Sequence, residues 1–233
     1  MMTTNLNKLI RNVYCCIISS VLFVGLTGNY GMGKSTVLPL FKKLGAVIIN
    51  ADKIVESLLK EKPVLEKIRV LFGDVVFLKN GSLDKKKVAG VVFSNDGLRH
   101  SLEDILHPLV FERIDLLFDE IKGEDKVIIV EIPLLYERDY EGRFNRTITV
   151  YASEETALAR LEKEGISQQE ALLRLQAQLP IEEKMRRSDF IIDNNGTIEE
   201  TMSHVEKVYK ELYEEAKKNG NNTRARKPDR KLS

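Results

Sequence analysis

The chain has 233 residues, of which 43% are hydrophobic and 30% charged, and its formal net charge is +1. These values exclude a disordered, fibrous or uniformly basic chain, and the length favours one large domain or one domain with an inserted lobe. The two cysteines, Cys15 and Cys16, are adjacent. This spacing excludes a disulfide scaffold, so we expect a reducing, cytoplasmic location.

The charges are segregated along the chain. Residues 216–233 contain seven basic residues and one acid, whereas residues 21–215 carry a net charge of −7. We therefore predict an N-terminal extension over residues 1–20, an acidic folded domain over residues 21–215 and a basic, disordered tail over residues 216–233. Such a tail binds polyanions weakly by counterion release, and we expect neither a specific nucleic-acid partner nor a membrane partner.

An apolar run over residues 13–26 ends in a glycine-rich segment. The run is too short for a transmembrane helix, which needs about 20 residues, and it lacks the A-x-A cleavage site of a signal peptide. We interpret its last part, Val21–Leu26, as a buried first strand.

Four further apolar runs predict strands. They are short, β-branched and without alternation, which is typical of strands covered on both faces by helices. The five predicted strands are residues 21–26, 46–50, 127–132, 147–151 and 190–193. Their order predicts an α/β fold, a parallel sheet flanked by helices.

Two helical segments interrupt the strands. Residues 61–123 have no obvious central strand and carry turn signals at Asn80-Gly81 and Asn95-Asp96-Gly97, which predicts an inserted helical lobe. Residues 153–188 are also predicted to be helical, and their basic residues are typical of a kinase lid. Capping-box patterns at residues 167–170 and 197–200 predict that helices begin there.

The most informative segment follows the first strand and precedes a helical run. It matches G-x-x-x-x-G-K-[ST], the phosphate loop of nucleotide-binding proteins. Its backbone amides and the helix N-terminus would bind the β-phosphate of ATP, Lys34 would contact the β- and γ-phosphates, and the Ser35 hydroxyl would ligate Mg²⁺. The predicted nucleotide-binding residues are Gly28, Asn29, Tyr30, Gly31, Met32, Gly33, Lys34, Ser35 and Thr36.

A phosphate loop indicates a nucleotide but not the reaction. The sequence contains no N-K-x-D guanine motif, which disfavours a GTPase. A mechanical ATPase usually takes its arginine finger from a neighbouring subunit, whereas residues 153–188 supply basic groups within this chain. This pattern favours a small-molecule kinase, and the alternative from another class is a nucleotide-binding module whose basic tail docks on nucleic acid.

Asp52 follows the second strand, at the edge of the sheet where α/β proteins bind their ligands. A carboxylate there can accept the proton of an attacking hydroxyl. Asp52 could also cap a helix that starts at Lys53, and the two roles are compatible.

Six segments together resemble the dephospho-CoA kinase family. In chain order they are Gly25–Gly28, the phosphate loop, Asn50–Asp52, Leu106–Leu109, Ile132–Glu137 and Ile191–Gly196. The resemblance covers residues 21–212 and implies a P-loop nucleoside-kinase-like core with a helical substrate-binding lobe and a helical lid. The implied reaction transfers the γ-phosphoryl group of ATP, with Mg²⁺, to the ribose 3′-hydroxyl of dephospho-CoA, the last step of coenzyme A synthesis. We expect a monomer or weak oligomer.

The resemblance also implies residue roles. The implied catalytic residues are Lys34, Asp52, Arg160 and Arg174. Those implied to bind dephospho-CoA are Thr27, Asp52, His107, Leu134 and Leu135, and those implied to bind Mg²⁺ are Ser35 and Glu131. As alternatives, His107 would be a packing residue at a helix boundary, and Leu134 and Leu135 would be core residues.

Three positions depart from the family pattern. Glu131 stands where the family usually has Asp, so its link to Mg²⁺ would run through water. Glu164 stands where a second lid arginine is expected, and Lys85 replaces an arginine and loses its bidentate geometry. Arg174 and Lys184 are then the candidates to neutralise the transferring phosphoryl group.

Overall fold

The computed structural model describes residues 21–120 and 126–224. These residues divide into two compact units by their internal packing. Described residues up to Ile49, together with those from Lys126 onward, form the first unit, and the second unit begins at Asn50. The predicted extension over residues 1–20 lies outside the described residues.

A five-stranded sheet forms the centre of the first unit. Its strands are β1 (Val21–Thr27), β2 (Val47–Asn50), β3 (Lys126–Glu131), β4 (Arg146–Tyr151) and β5 (Phe190–Asp193). Their order across the sheet is β2-β3-β1-β4-β5. Strand β1 pairs in parallel with β3 and β4, and β4 pairs in parallel with β5. The predicted α/β fold class is confirmed.

Burial explains why these strands are apolar without alternation. Four consecutive residues of β3, Val127–Val130, are completely buried, as are Leu22, Val24 and Leu26 of β1. Since both faces of these strands are covered, each side chain is withdrawn from water, which stabilises the fold by about 25 cal/mol per Å² of apolar surface. The strand that leads into the phosphate loop is thereby anchored in the core.

Helices accompany the sheet in the first unit, and other helices build the second unit. In chain order they are α1 (Lys34–Lys43), α2 (Ala51–Leu58), α3 (Lys62–Phe72), α4 (Lys85–Ser94), α5 (Asp96–Glu120), α6 (Glu154–Lys163), α7 (Gln168–Gln176), α8 (Ile181–Arg187) and α9 (Ile198–Arg224). The stretch predicted as a helical lid therefore consists of α6, α7 and α8. Across the described residues, no helix combines the length and the apolar character needed to cross a membrane.

The second unit consists of α2 to α5 and one short hairpin-like turn. It begins at Asn50, earlier than the residue 61 expected from the sequence, because α2 packs with this unit. Both predicted turns are present: Gly81 has a φ of 80°, and Asn95 Oδ1 accepts the Leu98 amide at 3.0 Å at the start of α5.

The two predicted capping patterns are confirmed. Ser167 Oγ accepts the Glu170 amide of α7 at 3.2 Å. At α9 the pair is reciprocal, because Thr197 Oγ1 accepts the Glu200 amide at 3.2 Å and Glu200 Oε2 accepts the Thr197 amide at 2.7 Å. The beginning of α9 is thus fixed by local sequence.

The end of α9 differs from the sequence expectation. Helix α9 continues to Arg224, so residues 216–224, assigned to a disordered tail, are helical. A buried stripe of Val205, Val208, Leu212 and Ala216 continues along the helix to the first residue of the predicted tail, so the helix does not end at residue 215. Lys217 lies 4.5 Å from the centre of the Tyr213 ring and extends this packing. Residues 225–233 lie outside the described residues.

We expect Thr197→Ala to lower the free energy of unfolding by about 1 kcal/mol, because the variant removes the N-cap acceptor of α9. Chemical denaturation of the purified variant measures this loss. The matched control is Ser203→Ala, an exposed hydroxyl in the same helix. Equal stability of the two variants would contradict the cap.

Candidate active site

The predicted phosphate loop connects β1 to α1. Its glycines Gly28, Gly31 and Gly33 have φ values of 151°, 79° and 82°, a region that glycine adopts without steric cost. Gly33 is the N-cap of α1, and this helix end has no side-chain cap. The helix N-terminus therefore retains its capacity to bind an anion.

Lys34 lies against the backbone of this loop. Its Nζ donates hydrogen bonds to the carbonyl oxygens of Gly28 at 2.7 Å and Asn29 at 3.3 Å. Ser35 and Thr36 follow in the first turn of α1 and are exposed. The loop thus presents an ammonium group and two hydroxyls at one helix end.

Asn194, the residue that follows β5, connects the loop to α9. Its Nδ2 donates to the Met32 carbonyl at 2.9 Å, and its Oδ1 accepts from Thr201 Oγ1 of α9 at 3.0 Å. The side chain is 2% exposed. Sequence reasoning missed this role, although an asparagine directly after the carboxyl end of a parallel strand, where α/β proteins bind their ligands, was a usable signal.

Arg160 of α6 lies beside the same loop. Its Nη2 donates to the Asn194 carbonyl at 2.6 Å. Its Nη1 is buried and makes no hydrogen bond to any described residue, and a Cβ built at Gly33 would lie 3.2 Å from it. Nη1 is therefore a buried cationic donor that can bind an anion at the loop.

Arg174 of α7 contacts the loop through Tyr30. Its Nη1 donates to Tyr30 Oη at 2.7 Å, and its guanidinium carbon lies 4.7 Å from the centre of the ring. Nη2 pairs with Glu170 Oε1 at 2.5 Å. The guanidinium is thus held next to the loop but is shared with a carboxylate.

Lys184 has a different role from the one predicted. The side chain is completely buried in α8, and its Nζ lies 2.7 Å from Glu137 Oε1. Burial lowers the pKa of Lys184, while the hydrogen bond and the charge of Glu137 oppose that shift. The prediction that Lys184 neutralises the phosphoryl group is wrong, because Glu137 holds its ammonium group inside the protein.

The residues around the end of β3 form the base of the site. Thr27 is completely buried, and its Oγ1 donates to the Pro133 carbonyl at 3.0 Å. Glu131 ends β3 in register with Leu26 of β1, one strand away from the entry to the loop. Leu135 is completely buried, which favours core packing for this residue, whereas Leu134 is 38% exposed and can contact a ligand.

Asp52 and His107 belong to the second unit. Asn50 Oδ1 accepts the Lys53 amide at 2.9 Å, so Asn50 caps α2 and the interpretation of Asp52 as the cap is wrong. Asp52 is an exposed carboxylate in the first turn of α2. His107 lies inside the long helix α5, directly before Pro108, so the helix-boundary interpretation is also wrong.

Comparison with known proteins agrees with these motifs. A profile of the dephospho-CoA kinase family matches residues 22–200. The dephospho-CoA kinase of Aquifex aeolicus is 39% identical over 190 residues, which cover 81% of this chain and 96% of the relative. The chain belongs to the dephospho-CoA kinase family.

Two solved structures extend the comparison of this family member. A Thermus thermophilus protein designated TT1252 is 32% identical, has a TM-score of 0.73, and is matched over 80% of this chain and 95% of its own. Dephospho-CoA kinase from Campylobacter jejuni is 28% identical, with a TM-score of 0.56 and coverage of 83% and 98%. The fold and the family are therefore shared over nearly the full length of the relatives.

The departures from the pattern of dephospho-CoA kinases have local explanations. Glu164 is the C-cap of α6, so the position where a second lid arginine was expected is a helix end. Lys85 Nζ pairs with Glu56 at 2.9 Å, and this hydrogen bond lowers the pKa of the Glu56 carboxyl. Both side chains of that pair are exposed, so the contact contributes little stability.

We expect Gly33→Ala to weaken ATP binding and to destabilise the fold. A Cβ at this position would lie 2.1 Å from Asn194 Nδ2, and the positive φ itself costs about 1–2 kcal/mol for other residues. Titration calorimetry with ATP and chemical denaturation measure the two effects. The matched control is Gly165→Ala, which has a φ of 81° and nothing within 4 Å of the added Cβ. Equal losses in both variants would show that the Asn194 contact is unimportant.

Proposed function

We propose that the protein transfers the γ-phosphoryl group of ATP to the ribose 3′-hydroxyl of dephospho-CoA and releases coenzyme A and ADP, the last step of coenzyme A synthesis. The observation that carries the proposal is the buried Nη1 of Arg160 beside Gly33, which has no hydrogen-bond partner among the described residues, in a chain of the dephospho-CoA kinase family. The loop supplies a site for phosphates, and the family supplies the acceptor.

The nucleotide phosphates would occupy the loop from Gly28 to Thr36. The loop amides and the N-terminus of α1 would bind the β-phosphate, and Lys34 would exchange its backbone partners for phosphate oxygens. Arg160 would donate Nη1 to the same phosphates, and Arg174 would add positive charge from its position on Tyr30. These groups are set before the charge develops in the transition state, which is why they accelerate the reaction.

In the proposed reaction, the 3′-hydroxyl oxygen attacks the γ-phosphorus in line with the departing oxygen of ADP. The new O–P bond forms as the bond to the β–γ bridging oxygen breaks, and Asp52 accepts the hydroxyl proton. Support for Asp52 comes from its place two residues after β2 and from its exposed carboxylate. His107 and Leu134 are proposed to contact the acceptor. Thr27, predicted to bind the substrate, is completely buried and donates its hydroxyl to the Pro133 carbonyl, so we propose instead that it supports the loop.

The residues that we propose to hold Mg²⁺ are Ser35 and Glu131. Their donor set fits this ion, because Mg²⁺ prefers oxygen ligands and usually takes only one or two from protein while phosphates and water supply the others. Ser35 is exposed in the first turn of α1, and Glu131 ends the strand beside β1. When bound, the ion would neutralise negative charge on the phosphates. The cytoplasmic location, the monomeric or weakly oligomeric state, and the weak polyanion binding of the tail remain predictions.

A coupled assay for ADP tests the proposed function. We expect turnover with ATP and dephospho-CoA, and little with adenosine, AMP or no acceptor. Lys34→Ala should lower turnover by about 10²-fold or more, because it removes the ammonium group that would stabilise negative charge on the transferred phosphoryl group. The control is Lys42→Ala, in the last turn of the same helix. Preference for AMP would point to another P-loop kinase, and full activity of Lys34→Ala would overturn the site.

Asp52→Asn should lower kcat by about 10²- to 10⁴-fold, the range for loss of a general base, with little change in ATP affinity. Asn keeps the size of the side chain but does not accept the proton. Steady-state kinetics with dephospho-CoA and calorimetry with ATP separate these quantities. The control is Glu66→Gln, an exposed acid of α3 in the same unit. Unchanged kcat in Asp52→Asn would exclude Asp52 as the base.

A further inference from the structure

Glu137 and Lys184 form a buried ion pair. Lys184 is completely buried, and its Nζ donates to Glu137 Oε1 at 2.7 Å and to the Pro133 carbonyl at 3.3 Å. Glu137 follows β3, and its side chain is 13% exposed. The pair therefore joins α8 to the segment that follows β3.

This pair is poorly suited to stabilising the fold. An ion pair removed from water loses the hydration of both charges, and an apolar pair of similar volume is often as stable or more stable. The second oxygen of Glu137, Oε2, is also buried and accepts no hydrogen bond from the described residues. Two such costs at one position indicate a role other than stability.

The geometry links the pair to the phosphate loop. Glu137 Oε1 also accepts the Leu179 amide at 3.1 Å, so the carboxylate holds the turn between α7 and α8. The same turn contacts the phosphate loop through two hydrogen bonds. The Leu179 carbonyl accepts from Asn29 Nδ2 at 3.1 Å. Gln178 Oε1 accepts the Tyr30 amide at 2.8 Å. A chain of single hydrogen bonds thus runs from the carboxylate to two residues of the loop.

The same pair reaches the base of the loop by a second route. The Pro133 carbonyl that accepts from Lys184 also accepts from Thr27 Oγ1 at 3.0 Å, and Thr27 precedes Gly28 directly. The two routes meet the phosphate loop on either side of Gly28. Displacement of the pair would therefore affect both the entry to the loop and its first two variable residues.

We propose that Glu137 is a positioning residue for the nucleotide site, and that Lys184 serves to hold its carboxylate under the turn at residues 178 and 179. The pair orders the phosphate loop through the Leu179 amide and Gln178, without touching the nucleotide. This inference rests on the proposed function only for the kinetic measurements. The measurement of nucleotide affinity tests the positioning role of Glu137 without assuming the reaction.

Two double variants of the full chain separate the hydrogen bond from the charge. E137L/K184M replaces the pair by apolar side chains of similar volume and removes the acceptor of the Leu179 amide. E137Q/K184M removes both charges but retains a carbonyl oxygen that can accept this amide. Thermal unfolding, calorimetry with a nonhydrolysable ATP analogue, and KM and kcat for ATP are measured for each.

We expect both variants to unfold within a few degrees of the parent. E137L/K184M should bind the analogue about tenfold more weakly, the effect of losing roughly one ordering hydrogen bond, while E137Q/K184M should stay within about threefold of the parent. The KM for ATP should rise in parallel, with a smaller change in kcat. The control is Arg186→Ala, which breaks the exposed pair with Glu183 on the same helix and should leave the affinity unchanged.

If a folded E137L/K184M binds the analogue as tightly as the parent, the proposal is overturned. A pair with a purely structural role predicts this result, because the apolar replacement would preserve both the stability and the nucleotide affinity. An equal loss in both double variants would overturn the hydrogen-bond route. If E137L/K184M does not fold, Gln178→Met decides, because it removes only the acceptor of the Tyr30 amide: weaker binding supports the route, and unchanged binding overturns it. Absence of turnover with dephospho-CoA in the parent would reject the proposed function while the affinity comparison still tests this inference.

Discussion

The phosphate loop must hold its backbone open without a ligand, and much of the first unit is arranged around this requirement. A helix that begins with an uncapped glycine has backbone donors that no side chain satisfies. Glycines with positive φ also have wide conformational freedom, so they do not hold the loop in one conformation by themselves. The loop is therefore supported from outside. Asn194 holds Met32, Gln178 holds the Tyr30 amide, and the lid helix α6 packs against Gly31, where a Cβ would lie 2.9 Å from the Ala157 carbonyl.

This arrangement explains how an acidic domain can attract a polyanion. Residues 21–215 carry a net charge of −7, so the overall field does not favour ATP. Attraction must come from groups fixed within a few ångströms of the phosphates, where low polarity strengthens each contact. Lys34 and Arg160 are the two groups that we propose for this role, and both donate hydrogen bonds to backbone carbonyls of the site.

The sequence was sufficient for features that depend on local patterns. Continuous apolar runs located all five strands. In β1, β3 and β4 the reason is burial on both faces, which tolerates few polar residues, whereas β2 and β5 are only partly buried. The phosphate loop and the capping box at Thr197 were visible because each requires particular residue types at fixed spacing. The helical course of residues 216–224 was missed, since its polar composition concealed a stripe that ends at Ala216.

Features that depend on long-range contacts could not be predicted in this way. Lys184 looked like one of several lid charges, and only the fold reveals that it is buried against Glu137, 47 positions earlier in the chain. Asn194 is 162 positions from the loop residue that it holds. Asp52 was considered as a possible cap of a helix starting at Lys53, whereas Asn50 caps α2, because both residue types are good caps and the exact start of a helix is difficult to read from sequence.

The buried Nη1 of Arg160, which has no partner among the described residues, also has a consequence for stability. Burying a cationic donor without a partner lowers the stability of the empty protein, whereas a ligand that binds only the folded state restores it by mass action. An apolar residue at this position would remove that cost, but it would also remove the hydrogen bond that Nη2 donates to the Asn194 carbonyl. In the proposed kinase, bound ATP would supply the partner of Nη1, so the stability of the protein would rise with the concentration of ATP.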